Sequence, residues 1–165
     1  MIICGYQGVG KSTLAGRERY IDLESGNFWI EKVMLPCNDR VLSRDPDWYI
    51  PYCNIAVHLS KQGYDVFLSS HECVRQYLAT LHTSEKLLLV FPSLSLKDQW
   101  IAKLHQRYNQ TQSDKDWKAL KNAEDMYEES IQDLMNQDGF DKIILHEINY
   151  NLQNLLNQAR GVVKE

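Results

Sequence analysis

The residues that most constrain this chain lie near its start, where a glycine-rich segment directly follows a short apolar run. The segment Gly5-Tyr6-Gln7-Gly8-Val9-Gly10-Lys11-Ser12 has glycines at its first, fourth and sixth positions and ends in lysine and serine. Ile2-Ile3-Cys4 precedes it with the character of a buried strand, and Thr13-Leu14-Ala15 follows it with residues that suit a helix. A strand, a glycine-rich turn and a helix in direct succession indicate a chain in which strands and helices alternate.

Five short segments rich in apolar and β-branched residues predict strands along the chain. Their apolar runs are continuous, which is typical of strands buried on both faces of a parallel sheet. Segments with helical spacing separate them, so the sequence predicts an α/β fold of three layers with a five-stranded parallel sheet flanked by helices. The predicted strands are Met1 to Cys4, Tyr20 to Leu23, Asp65 to Ser69, Lys86 to Phe91 and Lys142 to His146, and the predicted helices are Trp48 to Gln62, Cys73 to Leu81, Leu96 to Tyr108, Asp116 to Met135 and Tyr150 to Arg160.

Composition limits the class of protein. The chain has 165 residues, 44% hydrophobic and 24% charged, as expected of a single folded domain over residues 1–165. A formal net charge of -4 provides no general positive field, so we expect neither a nucleic acid polymer nor a membrane as partner. The cysteines have no metal-binding spacing, the first residues do not resemble a signal peptide, and no apolar run is long enough for a bilayer. We therefore expect a cytoplasmic protein.

The glycine-rich segment has the spacing of a loop that binds phosphate groups. Glycines allow successive backbone N–H groups to approach phosphate oxygens, and a following helix adds the positive end of its dipole. Lys11 is then placed to reach the β and γ phosphates of a nucleotide, and the Ser12 hydroxyl to ligate Mg²⁺. The pattern predicts ATP and Mg²⁺ as cofactors. The predicted nucleotide-binding residues are Gly5, Gly8, Val9, Gly10, Lys11, Ser12 and Thr13.

Two carboxylates follow the second predicted strand. Asp22 and Glu24 are two residues apart, so they share one face of an extended chain at a strand's carboxyl end, where α/β sheets bind ligands. The third predicted strand ends in Ser69-Ser70-His71, so the acid that often follows an apolar strand near the metal is missing there. We expect His71 to be a polar residue at a helix start. Glu147, after the last predicted strand, is an alternative metal-side acid.

The complete G-x-x-x-x-G-K-[ST] match between Gly5 and Ser12 resembles the phosphate loop of the P-loop NTPases. The five-strand layout resembles, within that superfamily, the small nucleoside-monophosphate and shikimate-type kinases. The chain has neither the [NT]-K-x-D motif of the GTPases nor an LSGGQ-like signature of the transporter ATPases. The resemblance implies a P-loop NTPase fold and an ATP-dependent phosphotransferase.

The resemblance also implies roles for residues beyond the loop. In shikimate-type kinases one acid after the second strand helps to hold magnesium and the other orients the acceptor hydroxyl, which implies that Asp22 is a catalytic metal-side acid and Glu24 a substrate-binding residue. In nucleoside-monophosphate kinases an insertion closes over the acceptor, and residues 26–62 would be that insertion. This stretch combines aromatic side chains with Arg40 and Arg44, which we expect in a loop beside the acceptor's phosphate.

Three further basic residues are assigned on the same resemblance. Arg75 follows the third predicted strand, where an arginine of these kinases binds the acceptor's phosphate. Residues 95–118 resemble their lid, and within it Lys103 and Arg107 share one helix face at i and i+4. Arg107 would act at the transferring phosphoryl group and Lys103 would bind substrate, with residues 111–118 as the mobile tip.

The predicted activity is therefore transfer of the γ-phosphoryl group of ATP to a small molecule, with Lys11, Asp22 and Arg107 as catalytic residues. The acceptor we expect first is a nucleoside or deoxynucleoside monophosphate. One alternative is a metabolite hydroxyl, as in shikimate or gluconate kinases, and another is a regulatory nucleotide-binding module without an acceptor. A polynucleotide 5'-end kinase is disfavoured by the acidic charge balance.

Overall fold

The structure is a computed structural model that describes residues 1–17, 19–28, 30–34 and 40–161, with the backbone alone for residues 30–34 and 40–44. Short 3₁₀ turns lie at Ser25–Phe28 and Leu94–Leu96. In chain order the other elements are β1 (Ile2–Gly5), α1 (Lys11–Leu14), β2 (Tyr20–Asp22), β3 (Ile30–Met34), β4 (Arg40–Arg44), α2 (Tyr49–Lys61), β5 (Asp65–Ser69), α3 (Glu72–Thr80), β6 (Leu87–Pro92), α4 (Lys97–Thr111), α5 (Asp114–Asn136), β7 (Asp141–Leu145) and α6 (Leu152–Arg160).

Five strands form one parallel sheet in the order β2-β5-β1-β6-β7. The central strand β1 pairs with β5 on one side, where Ile2 lies opposite Val66, and with β6 on the other, where Ile2 lies opposite Leu87. Every residue of β1 is buried, as its continuous apolar run predicts. The predicted α/β fold, with a five-stranded parallel sheet flanked by helices, is confirmed.

The strand order creates a crevice at the carboxyl edge of the sheet. From β1 the chain crosses to β2 at one edge, whereas from β5 it passes over β1 to β6 and then continues to β7 at the other edge. Right-handed crossovers that run in opposite directions place helices on opposite faces of the sheet. The loops after β1 and β6 therefore diverge, and a crevice between such loops is where open α/β sheets bind ligands.

The predicted and observed elements agree closely in the sheet and its helices. β5 matches its prediction, and the ends of the other four sheet strands differ from theirs by at most one residue. The expected break between the last two long helices is a tight turn, in which Gln112 has a φ of 51° and the Ser113 side chain caps α5 by accepting a hydrogen bond from the Asp116 N–H.

The stretch between Gly26 and Trp48, for which the sequence predicts no strand, contains an antiparallel hairpin of β3 and β4. Ile30 pairs with Arg44 and Met34 with Arg40, so both arginines lie at the ends of a strand and the expected loop position is wrong. Residues 35–39 and Trp29 lie outside the described residues. The hairpin was not predicted from the sequence, because charged and apolar residues are mixed in both short strands. Among the described strands these two pair only with each other, and they do not require the long apolar run of a strand buried on both faces.

Helices α4 and α5 pack along each other and reach the central sheet. On α4, Trp100 and Leu104 are buried, and on α5 Leu120, Tyr127 and Ile131 are buried. The Tyr127 hydroxyl donates a hydrogen bond to the Ser93 carbonyl at 2.9 Å, which ties α5 to the end of β6. Among the described helices, none has both the length and the apolar character to cross a membrane.

Candidate functional site

The glycine-rich loop (residues 5–10) leaves the carboxyl end of the central strand. Gly8 and Gly10 have φ values of 85° and 94°, in the left-handed region that other residues adopt only at a cost. A Cβ on Gly8 would lie 2.9 Å from Cδ2 of Leu104, so α4 packs directly on the loop. From the same helix, the Trp100 indole N–H donates a 3.0 Å hydrogen bond to the carbonyl of the residue before Gly8. Packing and hydrogen bonding thus hold the loop in shape.

The helix after the loop is a single turn. α1 ends at Leu14, and Gly16 with a φ of 82° turns the chain toward β2. A one-turn helix has a weaker dipole than a long one, because fewer peptide dipoles are aligned in it. The N–H groups of Tyr6 and Val9 donate to the backbone carbonyls of Val90 and Tyr6, so any attraction for an anion comes chiefly from the remaining loop N–H groups and from Lys11.

Lys11 is half-buried at the start of α1. Its ammonium group donates a 2.6 Å hydrogen bond to the Gly5 carbonyl, which directs the side chain back over the glycine-rich loop. Burial lowers the pKa of Lys11 to about 8, and the nearby Asp22 carboxylate opposes this shift. Near pH 7 the group is therefore mostly charged, and it retains donors for a ligand.

Asp22 and Glu24 are brought to the same place as the loop by the parallel arrangement of β2, β5 and β1. Asp22 is half-buried, and its carboxylate forms no hydrogen bond or ion pair with any described residue. Burial raises the pKa of Asp22, Lys11 opposes the rise and Glu24 adds to it. Glu24 is exposed and pairs with Lys115 at the start of α5. The two predicted acids thus differ, because Asp22 is unpaired and Glu24 is part of an ion pair.

The first cavity, of about 460 Å³, opens above these groups. Its walls are the glycine-rich loop, the segment after β2, the end of β5 and the tip formed by α4 and α5. Its charged lining residues are Lys11, Asp22, Glu24, Arg107, Lys115 and Lys118, and its other lining residues are Gln7, Gly8, Val9, Gly10, Ser12, Leu23, Ser25, Gly26, Tyr52, Ser69, His71, Ala119 and Asn122.

Arg107 reaches the first cavity from α4. Its guanidinium pairs with Asp116, which also accepts a hydrogen bond from the Thr111 hydroxyl at 2.5 Å. Burial alone would raise the pKa of Asp116, but the hydrogen bonds from Arg107 and Thr111 hold it below its ordinary value. This network fixes the turn between α4 and α5 and orients Arg107.

Sequence reasoning missed three cavity residues on α5. Lys115, Lys118 and Asn122 all line the first cavity. Their spacing of three, then four residues puts them on one helix face, and that pattern could have revealed them. The Lys118 ammonium and the Asn122 amide form no hydrogen bond or ion pair within the described part of the chain. Lys118 is therefore a cation available to a bound anion.

Lys103, grouped with Arg107 on sequence spacing, lies at a different cavity. Its ammonium is 4.5 Å from the centre of the Trp100 ring and 4.9 Å from that of Tyr150, and it donates to the Tyr150 hydroxyl at 3.2 Å. Burial lowers the pKa of Lys103, and the nearby Arg107 contributes. This third cavity has a volume of about 300 Å³ and is lined by Val9, Gly10, Thr13, Leu14, Arg17, Lys103, Ile148, Tyr150, Asn151, Leu152 and Gln153.

A second cavity, of about 360 Å³, adjoins the first and is lined in part by α5. The two share Gln7, Lys11, Ser69, His71 and Asn122, so Lys11 lies at their junction. The remaining lining residues of the second cavity are Gly5, Tyr6, Ser70, Glu72, Arg75, Met126, Ser130, Asp133 and Leu134.

Arg75 lies in the wall of the second cavity, and its guanidinium is engaged by protein groups. Nε donates to the Ser70 carbonyl at 3.0 Å, Nη1 to the Gln137 side chain at 2.6 Å, and Nη2 to Asp133. The side chain is only 3% exposed. Its contacts therefore join α3 to α5.

Of the aromatic residues in the predicted insertion, Trp48 and Tyr52 belong to the core. Tyr52 is buried, and its hydroxyl accepts from the Ser69 N–H at 2.9 Å and donates to the Leu23 carbonyl at 2.8 Å. It thereby links the carboxyl ends of β2 and β5. Trp48 and Phe28 pack on the Tyr52 ring, with centroids 5.5 Å and 5.1 Å away.

Two predicted metal ligands lie at the first cavity. No cluster of three or more histidine, cysteine, aspartate or glutamate side chains suited to a metal occurs within the described ranges. Mg²⁺ often takes one or two protein oxygens, with phosphate oxygens and waters completing its shell. The exposed Ser12 hydroxyl and the unpaired Asp22 carboxylate fit that pattern. Glu147 is exposed and lines none of the three cavities.

Comparison of the sequence with models of known protein families gives no match. Comparison with curated protein sequences also gives none.

Proposed function

We propose that this protein is an ATP-dependent small-molecule kinase of the P-loop type. The observation that carries the proposal is the junction at Lys11. There, a glycine-rich loop at the sheet's switch point meets an unpaired carboxylate and an unpaired cation in one cavity, and a second cavity begins at the same lysine. Phosphoryl transfer requires a polyanion site and an acceptor site in contact, with opposite charges arranged around the transferred group.

The first cavity would bind the phosphates of ATP. The N–H groups of the glycine-rich loop and the Lys11 ammonium supply donors, and Lys118 supplies a second positive charge. Arg107, held by Asp116, points a fixed guanidinium group at the same space. The nucleoside would extend into the third cavity, which continues from Gly10 and has the Tyr150 ring in its wall.

Ser12 and Asp22 would hold Mg²⁺. When bound, the ion neutralises charge on the phosphate oxygens and fixes their orientation. The unpaired state of Asp22 suits this role, since no described cation forms an ion pair with its oxygens, although Lys11 is close enough to lower its pKa.

The chemical step is an in-line displacement at the γ-phosphorus. A bond forms from the acceptor oxygen to phosphorus, the bond from phosphorus to the bridging oxygen breaks, and the nucleoside diphosphate leaves. A hydroxyl acceptor would give its proton to the Glu24 carboxylate at the end of β2, since Asp22 would be a metal ligand. Lys11, Arg107 and Lys118 surround the oxygens on which negative charge is redistributed.

A nucleoside or deoxynucleoside monophosphate acceptor needs guanidinium groups for its own phosphate, because these pair with a dianion in a fixed bidentate geometry. Arg75 is bound by Asp133 and Gln137. A monophosphate acceptor would therefore rely on Arg40 and Arg44, whose side chains lie outside the described part of the structure.

An unphosphorylated hydroxyl compound is the second candidate acceptor, and the engagement of Arg75 favours it. A neutral acceptor needs no free arginine in the second cavity. Lys11 at the junction would serve the transferred phosphoryl group in both cases.

The decisive experiment is a coupled ADP-release screen with ATP and Mg²⁺ across nucleoside monophosphates, nucleosides and hydroxylated metabolites. A kinase releases ADP in an acceptor-dependent manner, and the phosphorylated product is identified by mass spectrometry. Nucleotide binding with no acceptor-dependent release would instead support the regulatory module and contradict the kinase proposal.

A further inference from the structure

In the second cavity, Arg75 and Asp133 form an ion pair whose two side chains differ strongly in solvent exposure. The Arg75 side chain is 3% exposed, whereas that of its partner Asp133 is 53% exposed. Three protein acceptors hold the guanidinium, so its position is fixed on both α3 and α5. The buried cation therefore anchors an accessible carboxylate at the cavity wall.

Asp133 has acceptor capacity left over. Oδ2 accepts the hydrogen bond from Arg75, and Oδ1 has no partner among the described residues. The Ser130 hydroxyl and the Asn122 amide line the same cavity and likewise have no partner within the described ranges. These three polar groups therefore have hydrogen-bonding atoms available to a ligand. The Asp133 carboxylate, a charged acceptor, forms the strongest hydrogen bond of the three.

The charges around the second cavity cancel. Its cations are Lys11 and Arg75, and its anions are Glu72 and Asp133. A phosphate dianion placed beside Asp133 would be repelled by that carboxylate, and Arg75 is already neutralised by it. A neutral ligand meets neither obstacle.

One side of the second cavity is apolar. Tyr6 is buried, with its ring edge-on to Tyr127, and Met126 and Leu134 complete this wall from α5. Such a surface packs against the face of a ring, whether a heterocycle or a sugar.

We propose that the second cavity binds a neutral hydroxylated ring compound, a nucleoside or a cyclic sugar, and that Asp133 selects it by accepting a hydrogen bond from an N–H or O–H group on the ring. Arg75 is the positioning residue for Asp133. The ring lies on the Tyr6 and Met126 wall, and its hydroxyl faces Lys11. This inference rests on the proposed kinase function and specifies the acceptor of the same site.

The test compares Asp133→Asn with Asp125→Asn, an exposed position on the same helix outside the three cavities. Acceptor binding is measured by calorimetry without nucleotide, using nucleosides, cyclic sugars and the monophosphates of both as separate arms. The wild-type protein should bind a neutral compound at least tenfold more tightly than its monophosphate, and the arm that binds identifies the ring class. Asp133→Asn should weaken that binding about 10-fold or more, as expected for loss of a charge-assisted hydrogen bond, while Asp125→Asn should not.

A second readout separates selection from structural damage. Asp133→Asn replaces one acceptor oxygen by a donor, so ligands that offer a donor at that point should lose affinity and analogues that offer an acceptor there should lose little or gain. Uniform loss for all ligands, or tighter binding of the monophosphate than of its nucleoside, would overturn the inference.

Failure of the kinase proposal itself would give a different result. Binding of a non-hydrolysable ATP analogue is measured on the same protein, with Lys118→Ala as the control for the first cavity, because Lys118 does not line the second. Absence of nucleotide binding would contradict the kinase, whereas nucleotide binding combined with a preference for phosphorylated acceptors would contradict only the assignment of the second cavity.

Discussion

The first and second cavities share Lys11 and one edge of the sheet, yet they differ in charge. In the first, Lys118 has no described partner and the acids are fewer than the cations. In the second, the cation Arg75 is buried and bound by Asp133. A site rich in cations suits a polyanion, and a site with balanced charges suits a neutral molecule. Two pockets built around one lysine can therefore receive chemically different partners.

Helix α5 produces much of this difference. Its conformation departs from helical at Met126, with φ of -131° and ψ of 16°. Lys115 and Lys118 lie before this kink and face the first cavity, whereas Ser130 and Asp133 lie after it and face the second. One helix thus supplies cations to one site and acceptors to the other.

The largest expected effect comes from the residue common to both cavities. Lys11→Ala should lower kcat/KM about 1000-fold, since loss of one preorganised charge at the transferred group typically costs 100-fold to 1000-fold. Lys121→Ala, which removes an exposed lysine paired with Glu124 on α5, is the matched control and should retain activity. Steady-state ADP release measures both variants, and circular dichroism checks their folding. Full activity of Lys11→Ala would show that the glycine-rich loop is not the nucleotide site.

The next effect concerns the first cavity alone. Asp22→Asn should lower kcat about 100-fold and change the affinity for nucleotide without acceptor by only about threefold, because charge redistribution occurs only in the transition state. Glu24→Gln should be milder, because Glu24 is exposed and paired with Lys115. Single-turnover rates and nucleotide titrations separate the two quantities. Small and equal changes for Asp22→Asn would identify this residue as a solvated charge.

A stability measurement should distinguish the cations of the two cavities. Arg75→Lys removes the forked contacts to Ser70, Gln137 and Asp133, and we expect a loss of roughly 2 kcal/mol, or about 4–8 °C in Tm for a chain of this size. Lys118→Ala should leave Tm unchanged and raise the KM for nucleotide, since Lys118 has no described partner to lose. Thermal unfolding with both variants provides the check. An unchanged Tm for Arg75→Lys, with a raised KM for a monophosphate acceptor, would instead favour the phosphate-binding role.

The smallest effect is a dependence on pH. With a pKa of about 8 in the free protein, Lys11 is protonated at pH 7 and mostly neutral at pH 9. Polyphosphate prefers the charged form, so nucleotide affinity should fall as pH rises through 8, by up to about tenfold between pH 7 and 9. Lys11→Arg keeps its charge over this range and should flatten the profile, whatever its absolute affinity. Titration with a non-hydrolysable ATP analogue at three pH values provides the measurement.

Local sequence patterns were sufficient for much of the fold. Parallel strands such as β1 and β5 are buried on both faces. Nearly every residue in them must then be apolar, so a continuous apolar run predicts where each strand begins and ends. The loop was also predictable from its glycines. Gly8 and Gly10 have positive φ values, which glycine adopts readily and other residues adopt only at a cost. The β3 and β4 hairpin was missed, because its mixed polar and apolar residues do not require burial on both faces.

Local sequence patterns thus determined which segments become strands and helices and which loop can approach a phosphate. Only the tertiary structure decided the neighbours of each charge. Lys103 and Arg107 share a helix face in sequence, but Lys103 packs on Tyr150 and Arg107 pairs with Asp116. Arg75 likewise meets Asp133, 58 residues away. Such partners come from elements distant in the chain, and a side chain's charge, exposure and pKa depend on what packs around it.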